Sequence, residues 1–156
     1  MEPKTRTAWN KTLAILNRRV QSEKMLGQKL QKKGFGQEEI RSALTKAKDY
    51  KLLDDRSYAE MLIKRELRKG YGPRRIQTGL FSHGISQPII KDLFESMRLT
   101  SKENQEERLR EVAAKKSSQA KTRDSLKFFR YLVSLGYDSD VARRVCKITQ
   151  EGDEDV

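Results

Sequence analysis

With 156 residues, 35% apolar and 36% charged, the chain has too little core material for one large globular interior, so small cores in series are expected. A lone cysteine, Cys146, excludes an intramolecular disulfide, and no apolar run approaches the roughly 18 residues of a membrane span. The net charge of +12 favours nucleic acid or another polyanion as partner, since each Lys or Arg that neutralises a phosphate releases counterions.

In chain order, residues 1–54 carry +7, residues 55–100 +4, residues 101–150 +5, and the last six residues −4. Met1 to Asn10 lacks the apolar run of a signal peptide, so a cytoplasmic protein is expected. The first predicted helix runs from Thr7 to Val20, with Trp9, Leu13, Leu16 and Val20 at helical spacing as its buried stripe. A second helix follows through Leu26 and Leu30, and Gly34-Phe35-Gly36 closes it. Gly34 supplies the left-handed conformation that ends a helix, Phe35 an apolar contact back onto it, and Gly36 with Glu39 the start of a third helix through Ile40 and Leu44.

The same pattern recurs twice. Leu80, Gly84-Ile85-Ser86, Ile90 and Phe94 form the second copy; Leu132, Gly136-Tyr137-Asp138, Val141 and Val145 form the third. The glycines stand 50 and 52 residues apart, and Leu26, Ile76 and Phe128 occupy one equivalent position. A further helix precedes each pair. Ser57 to Lys69 opens with a capping box, Ser57 and Glu60, and places Tyr58, Met61, Leu62 and Leu67 on one side; Thr100 with Glu103 repeats that signature before Leu109, Val112 and Ala113. Strand signals are nearly absent. The expected fold is therefore all-α, an elongated, curved array of three tandem three-helix units: 1–54, 55–100 and 101–150, with 151–156 as an acidic disordered tail. Residues Ala114 to Arg123 are expected to form an exposed helix end or mobile connector.

No catalytic constellation emerges, so no enzyme activity, no metal and no cofactor are expected. His83 has no second histidine or cysteine near it and is read as a solvated residue at a helix end. Cys146 is read as a packed thiol. Asp54 and Asp55 point away from each other and are read as caps for the helix that follows. Gly34 with Gly36, and Gly70 with Gly72, lack the preceding strand and following Gly-Lys-Ser/Thr of a nucleotide loop.

The basic residues remain. Arg65, Arg68, Lys69, Tyr71, Arg74 and Arg75 form the densest cluster, around a Gly-containing turn whose Pro73 starts a helix. Guanidiniums, an exposed ring and helix N-terminal amides there suit a phosphate backbone with unstacked bases. Arg18, Arg19 and Lys24 form a second candidate patch, Lys29, Lys32 and Lys33 a third at a helix end, and Lys115, Lys116, Lys121 and Arg123 a fourth.

Taken together, the residues resemble the RecX family, bacterial regulators of the RecA recombinase, over about residues 12–148. The resemblance is carried by Leu26, Lys29-Leu30, Lys33-Gly34-Phe35 and Ile40, then Leu53-Asp54-Asp55, Ser57-Tyr58-Ala59, Gly70, Gly72-Pro73, Ile76, Leu80 and Gly84-Ile85, and by the closing segment 132–145. It implies a monomer that binds in the groove of the RecA filament on single-stranded DNA, with double-stranded DNA a further candidate, and blocks ATP hydrolysis, strand exchange and co-protease activity. A rival reading is a helix-turn-helix DNA-binding regulator acting without RecA, for which a preferred duplex sequence is expected. Another is an adaptor whose charge serves solubility alone.

Overall fold

A computed structural model describes residues 7–117 and 125–151. Among these residues there are nine helices and no strand: α1 (Ala8–Arg18), α2 (Glu23–Lys32), α3 (Gln37–Asp49), α4 (Asp55–Arg68), α5 (Pro73–Ser82), α6 (Gln87–Ser96), α7 (Lys102–Ser117), α8 (Ser125–Ser134) and α9 (Ser139–Glu151). They follow the sequence repeat as three successive triplets. The expected tail lies outside the described residues, apart from Glu151 at the end of α9.

Six helix ends share one device. Gly34, Gly70, Gly84 and Gly136 take positive φ between 79° and 99°, while Lys51 and Arg98 do the same job at φ 56° and 54° after α3 and α6. At five of these ends the following residue, Phe35, Tyr71, Ile85, Leu52 or Leu99, donates its N–H back to a carbonyl five residues earlier, at 2.9 to 3.4 Å. That bond satisfies a carbonyl the helix would otherwise orphan; Ile85 and Leu99 are buried there and Phe35 and Tyr71 half-buried, while Leu52 is exposed. Glycine adopts the left-handed backbone without strain; Lys51 and Arg98 carry a cost of about 1 kcal/mol each.

Helix starts correct two expectations. The fourth helix begins at Asp55 rather than Ser57, because Asp54 is its cap: its carboxylate accepts the N–H of Arg56 at 3.0 Å and of Ser57 at 3.3 Å. The Ser57 hydroxyl donates to the other Asp54 oxygen at 2.9 Å, which holds this carboxyl below its ordinary range. Likewise α7 is capped by Ser101, which accepts the N–H of Asn104, not by Thr100. In both cases several capping residues lie side by side, and the one whose oxygen reaches the free amides wins.

On the first helix the expected stripe is only partly inward: Trp9 and Leu16 are half-buried against the core of the first unit. Ala8 and Thr12 are buried, with Thr12 donating its hydroxyl to the Ala8 carbonyl at 2.8 Å, whereas Leu13 is 39% and Val20 53% exposed. A threonine that satisfies itself on its own helix costs little to bury, so it can displace a leucine from the inward face.

The described chain divides into two compact units, residues 1–62 with 80–89, and residues 63–79 with 90–156. In the first, α1, α2 and α3 pack pairwise around Leu26, Leu30, Ala43, Ala47 and Leu53. In the second, α7 and α8 pack on α9 around Leu109, Leu132, Tyr137, Val141 and Val145, with the Cys146 thiol buried as expected and its pKa raised by that burial.

The division has a physical cause that repeats. In the first unit the turn at Gly84 lies on the start of α2: the Ser22 hydroxyl donates to the His83 carbonyl at 2.7 Å while capping Met25, and the Lys24 stem covers Gly84. In the second, the turn at Gly136 lies on the start of α5: the Gly72 N–H donates to the Leu135 carbonyl at 2.7 Å and the Arg74 N–H to the Gly136 carbonyl at 3.0 Å. In each case the carbonyl just before the turn glycine receives a bond from the residue just before the preceding triplet's second helix. One triplet therefore clasps the turn of the next.

His83 belongs to this clasp and is not a freely solvated side chain. Its Nδ1 lies 2.6 Å from the Tyr58 hydroxyl, with Tyr58 buried. Asp55 is tied in as well, accepting the Glu23 N–H at 2.8 Å at the start of α2; burial pushes its carboxyl up despite that bond. Of the two adjacent acids, Asp54 caps its own helix and Asp55 caps another.

Candidate nucleic-acid interface

The densest basic cluster lies where α4 ends and α5 begins. Gly70, at φ +91°, turns the chain, and Gly72 passes so close to the Gly136 backbone that a β-carbon there would lie 2.6 Å from the Gly136 carbonyl. Pro73 then starts α5, its missing N–H costing nothing in the first turn.

Much of the cluster's charge is already engaged. Arg65 and Lys69 both reach the half-buried Glu66, at 3.1 and 3.2 Å. Burial alone would raise the Glu66 carboxyl, but the hydrogen bonds from Lys69 and Arg65 outweigh it and hold the group below its ordinary range. Arg74 pairs with Asp138 at 2.9 Å. Arg75 lies over the Tyr71 ring, its guanidinium carbon 3.7 Å from the centroid. Arg68, exposed and bonded only weakly to the Lys64 carbonyl at 3.4 Å, has no carboxylate partner among the described residues.

Two expectations for this turn fail on geometry. Tyr71 is half-buried against the core of its unit, with one face under Arg75, so it is not an open ring for a base. Two of the amides that were to meet phosphate are spent, those of Gly72 and Arg74, which bond the turn at Leu135 and Gly136. What remains is a row of guanidiniums and ammoniums on a rigid turn. Arg65, Lys69 and Arg74 stay about half exposed or more even while paired, whereas Glu66 and Asp138 are largely covered.

The other candidates are less committed. Arg18 ends α1 and Arg19 follows it in extended conformation; both are exposed. Lys24 lends its stem to Gly84 and keeps its ammonium outside. Lys29, Lys32 and Lys33 sit in or just after the last turn of α2, where cations complement the helix dipole. None of these six, all in the first unit, has a carboxylate partner among the described residues. Lys115 and Lys116 lie in the last turn of α7, the latter's ammonium 5.1 Å from the Tyr131 ring centroid. Lys121 and Arg123 lie outside the described residues.

One feature of the first unit was not anticipated from the sequence. Trp9 and Tyr50 stand 5.8 Å apart, and the Lys46 ammonium lies 4.5 Å from the Trp9 centroid and 6.0 Å from that of Tyr50. Trp9 is half-buried and packs against the core of the first unit, while Leu13, one helical turn further on, faces outward. The available signal was Tyr50-Lys51 at a helix end with no glycine nearby. Among the described residues no group of His, Cys, Asp or Glu could hold a metal ion, and no helix is long and apolar enough to cross a membrane.

Comparison with known proteins adds a second line. Residues 8–46 match the family profile described as RecX, first three-helix domain, and residues 54–93 that described as RecX, second three-helix domain. The regulatory protein RecX of Caldanaerobacter subterraneus subsp. tengcongensis is 31% identical over 142 residues, covering 91% of this chain and 70% of that protein. That of Clostridium botulinum strain Eklund 17B is 35% identical over 141 residues, 86% of this chain and 65% of its own. The Haemophilus influenzae Rd protein is 31% identical over 134 residues, covering 85% and 88%. Among solved structures, RecX from Lactobacillus salivarius superposes with a TM-score of 0.72 at 23% identity, over 90% of this chain and 92% of that one, which bears on the fold alone.

Proposed function

This chain belongs to the RecX family of regulatory proteins, and from that premise we propose that it is a negative regulator of RecA. It acts by binding rather than catalysis, in the cytoplasm, along the groove of the RecA filament on single-stranded DNA, and it inhibits ATP hydrolysis, strand exchange and co-protease activity. The three sequence modules, 1–54, 55–100 and 101–150, each contribute contacts. Many weak contacts on linked modules give an avidity that one small domain lacks.

The observation that carries this reading is the set of exposed cations without acidic partners on the first unit, Arg18, Arg19, Lys24, Lys32 and Lys33, repeated more sparsely at Arg68 in the second. A regulator of a DNA-borne filament has to meet phosphate as well as protein, and unpaired exposed cations do so with no ion pair to break.

The test is RecA's DNA-dependent ATP hydrolysis on saturating single-stranded DNA. Inhibition is expected at well under one molecule of this protein per RecA, and it should persist as more DNA is added. Inhibition that disappears with excess DNA, together with preference for one duplex sequence, would instead identify a DNA-binding regulator that only competes for the template.

A further inference from the structure

The cluster of Trp9, Lys46 and Tyr50 is a surface that the basic patches above do not include. Its backbone is fixed: the Tyr50 N–H donates to the Lys46 carbonyl at 3.0 Å, which keeps the ring on the last turn of α3. The ring is nonetheless 63% exposed. Lys46 covers part of Trp9, so Tyr50 presents the open aromatic surface.

The charge around these rings selects the occupant. Residues 46–51 contain three lysines and one acid, Asp49; Lys48 is held by Glu23 at 2.9 Å, while Lys46 and Lys51 have no carboxylate partner among the described residues. Lys51 is also notable for its backbone, which takes the left-handed conformation that glycine supplies at four other helix ends. A lysine side chain stands there despite the strain. Flat aromatic surface flanked by free ammoniums fits a ligand that is itself flat and anionic, and an unstacked nucleobase between phosphates is such a ligand.

We propose that Tyr50, supported by Trp9, is a stacking platform for an unpaired nucleobase, with Lys46 and Lys51 meeting the adjoining phosphates. The platform takes the part that Tyr71 cannot play. It rests on the reading that this protein binds single-stranded DNA, and it adds that the first unit holds bases as well as backbone.

Trp9 is the only tryptophan, so its fluorescence reports this patch alone. The full chain is titrated with a short oligothymidylate and with an abasic oligonucleotide of equal length, which keeps the phosphates and lacks the bases. The oligothymidylate should bind more tightly and quench Trp9; the abasic strand should bind without quenching. Tyr50→Ala should weaken oligothymidylate binding about tenfold and change abasic binding by less than about twofold, while Tyr50→Phe keeps both. Lys51→Gln should weaken both ligands alike and lower the salt dependence, an outcome independent of how Tyr50→Ala folds.

Equal quenching and affinity with the two strands would remove the platform and leave DNA binding standing. A Tyr50→Ala variant that loses affinity for RecA filaments but keeps the wild-type ratio between strands would turn the patch into a protein-docking surface and overturn the proposal. Binding of neither strand by the wild-type protein would overturn both the platform and the wider reading.

Discussion

The turns at Gly34 and Gly136 have the same local form and different neighbours. Both glycines close a helix at φ above 90°, and both are followed by a large aromatic residue. Around Gly136 the chain is pressed against Gly72 and Arg75, so a β-carbon would fall 2.6 Å from the Arg75 backbone nitrogen; around Gly34 there is nothing within 4 Å of that position. Gly136 is therefore constrained twice, by its backbone angle and by the space it occupies, and Gly34 once. One sequence signature marks both an interlocking turn and an open one.

The largest effect expected from this contrast is at Gly72. Its φ is ordinary, but an added methyl would meet the Gly136 carbonyl carbon and oxygen at 2.6 Å, and backbone cannot step aside as a side chain can. Gly72→Ala should cost about 3 kcal/mol, read as a lower urea midpoint. A loss below about 1 kcal/mol would mean the two turns are not locked together. Gly34→Ala should cost only the left-handed strain, about 1 kcal/mol, in the same assay. A penalty at Gly34 as large as that at Gly72 would break the comparison.

The smallest change sharpens the same point from the other side. Arg98 occupies the left-handed position after α6 without being glycine, at φ 54°. Arg98→Gly should raise the unfolding free energy by roughly 0.5–1 kcal/mol, less than the full strain because glycine has more freedom to lose on folding. A thermal melt at fixed concentration would register this as a small upward shift, and a downward shift would show that the arginine side chain contributes more than its backbone costs.

Much of the fold was legible in the residues. Gly34, Gly84 and Gly136, with leucine four positions before and an apolar residue after, announced helix, turn, helix three times, since few residues other than glycine take that backbone cheaply. The candidate site was legible as composition but not as geometry. Arg65, Lys69 and Arg74 are basic in any reading; that Glu66 and Asp138 engage them depends on which carboxylates come within reach. That Tyr71 lies half-buried under Arg75 while Tyr50 stays exposed beside Trp9 has a similar reason, because spacing along a helix gives the face a ring lies on and not what covers that face.

By itself the sequence determined the helical class, the threefold repeat and the basic surface, all of which follow from local periodicity, turn chemistry and charge. Tertiary structure alone decided that Thr12 goes inside while Leu13 stays out, that Asp55 caps a helix other than its own, and that the first two triplets clasp the turns of those that follow them. These outcomes turn on hydrogen bonds and close approaches between residues up to 64 positions apart, as between Gly72 and Gly136. Such contacts leave no trace in the spacing of neighbours along the chain.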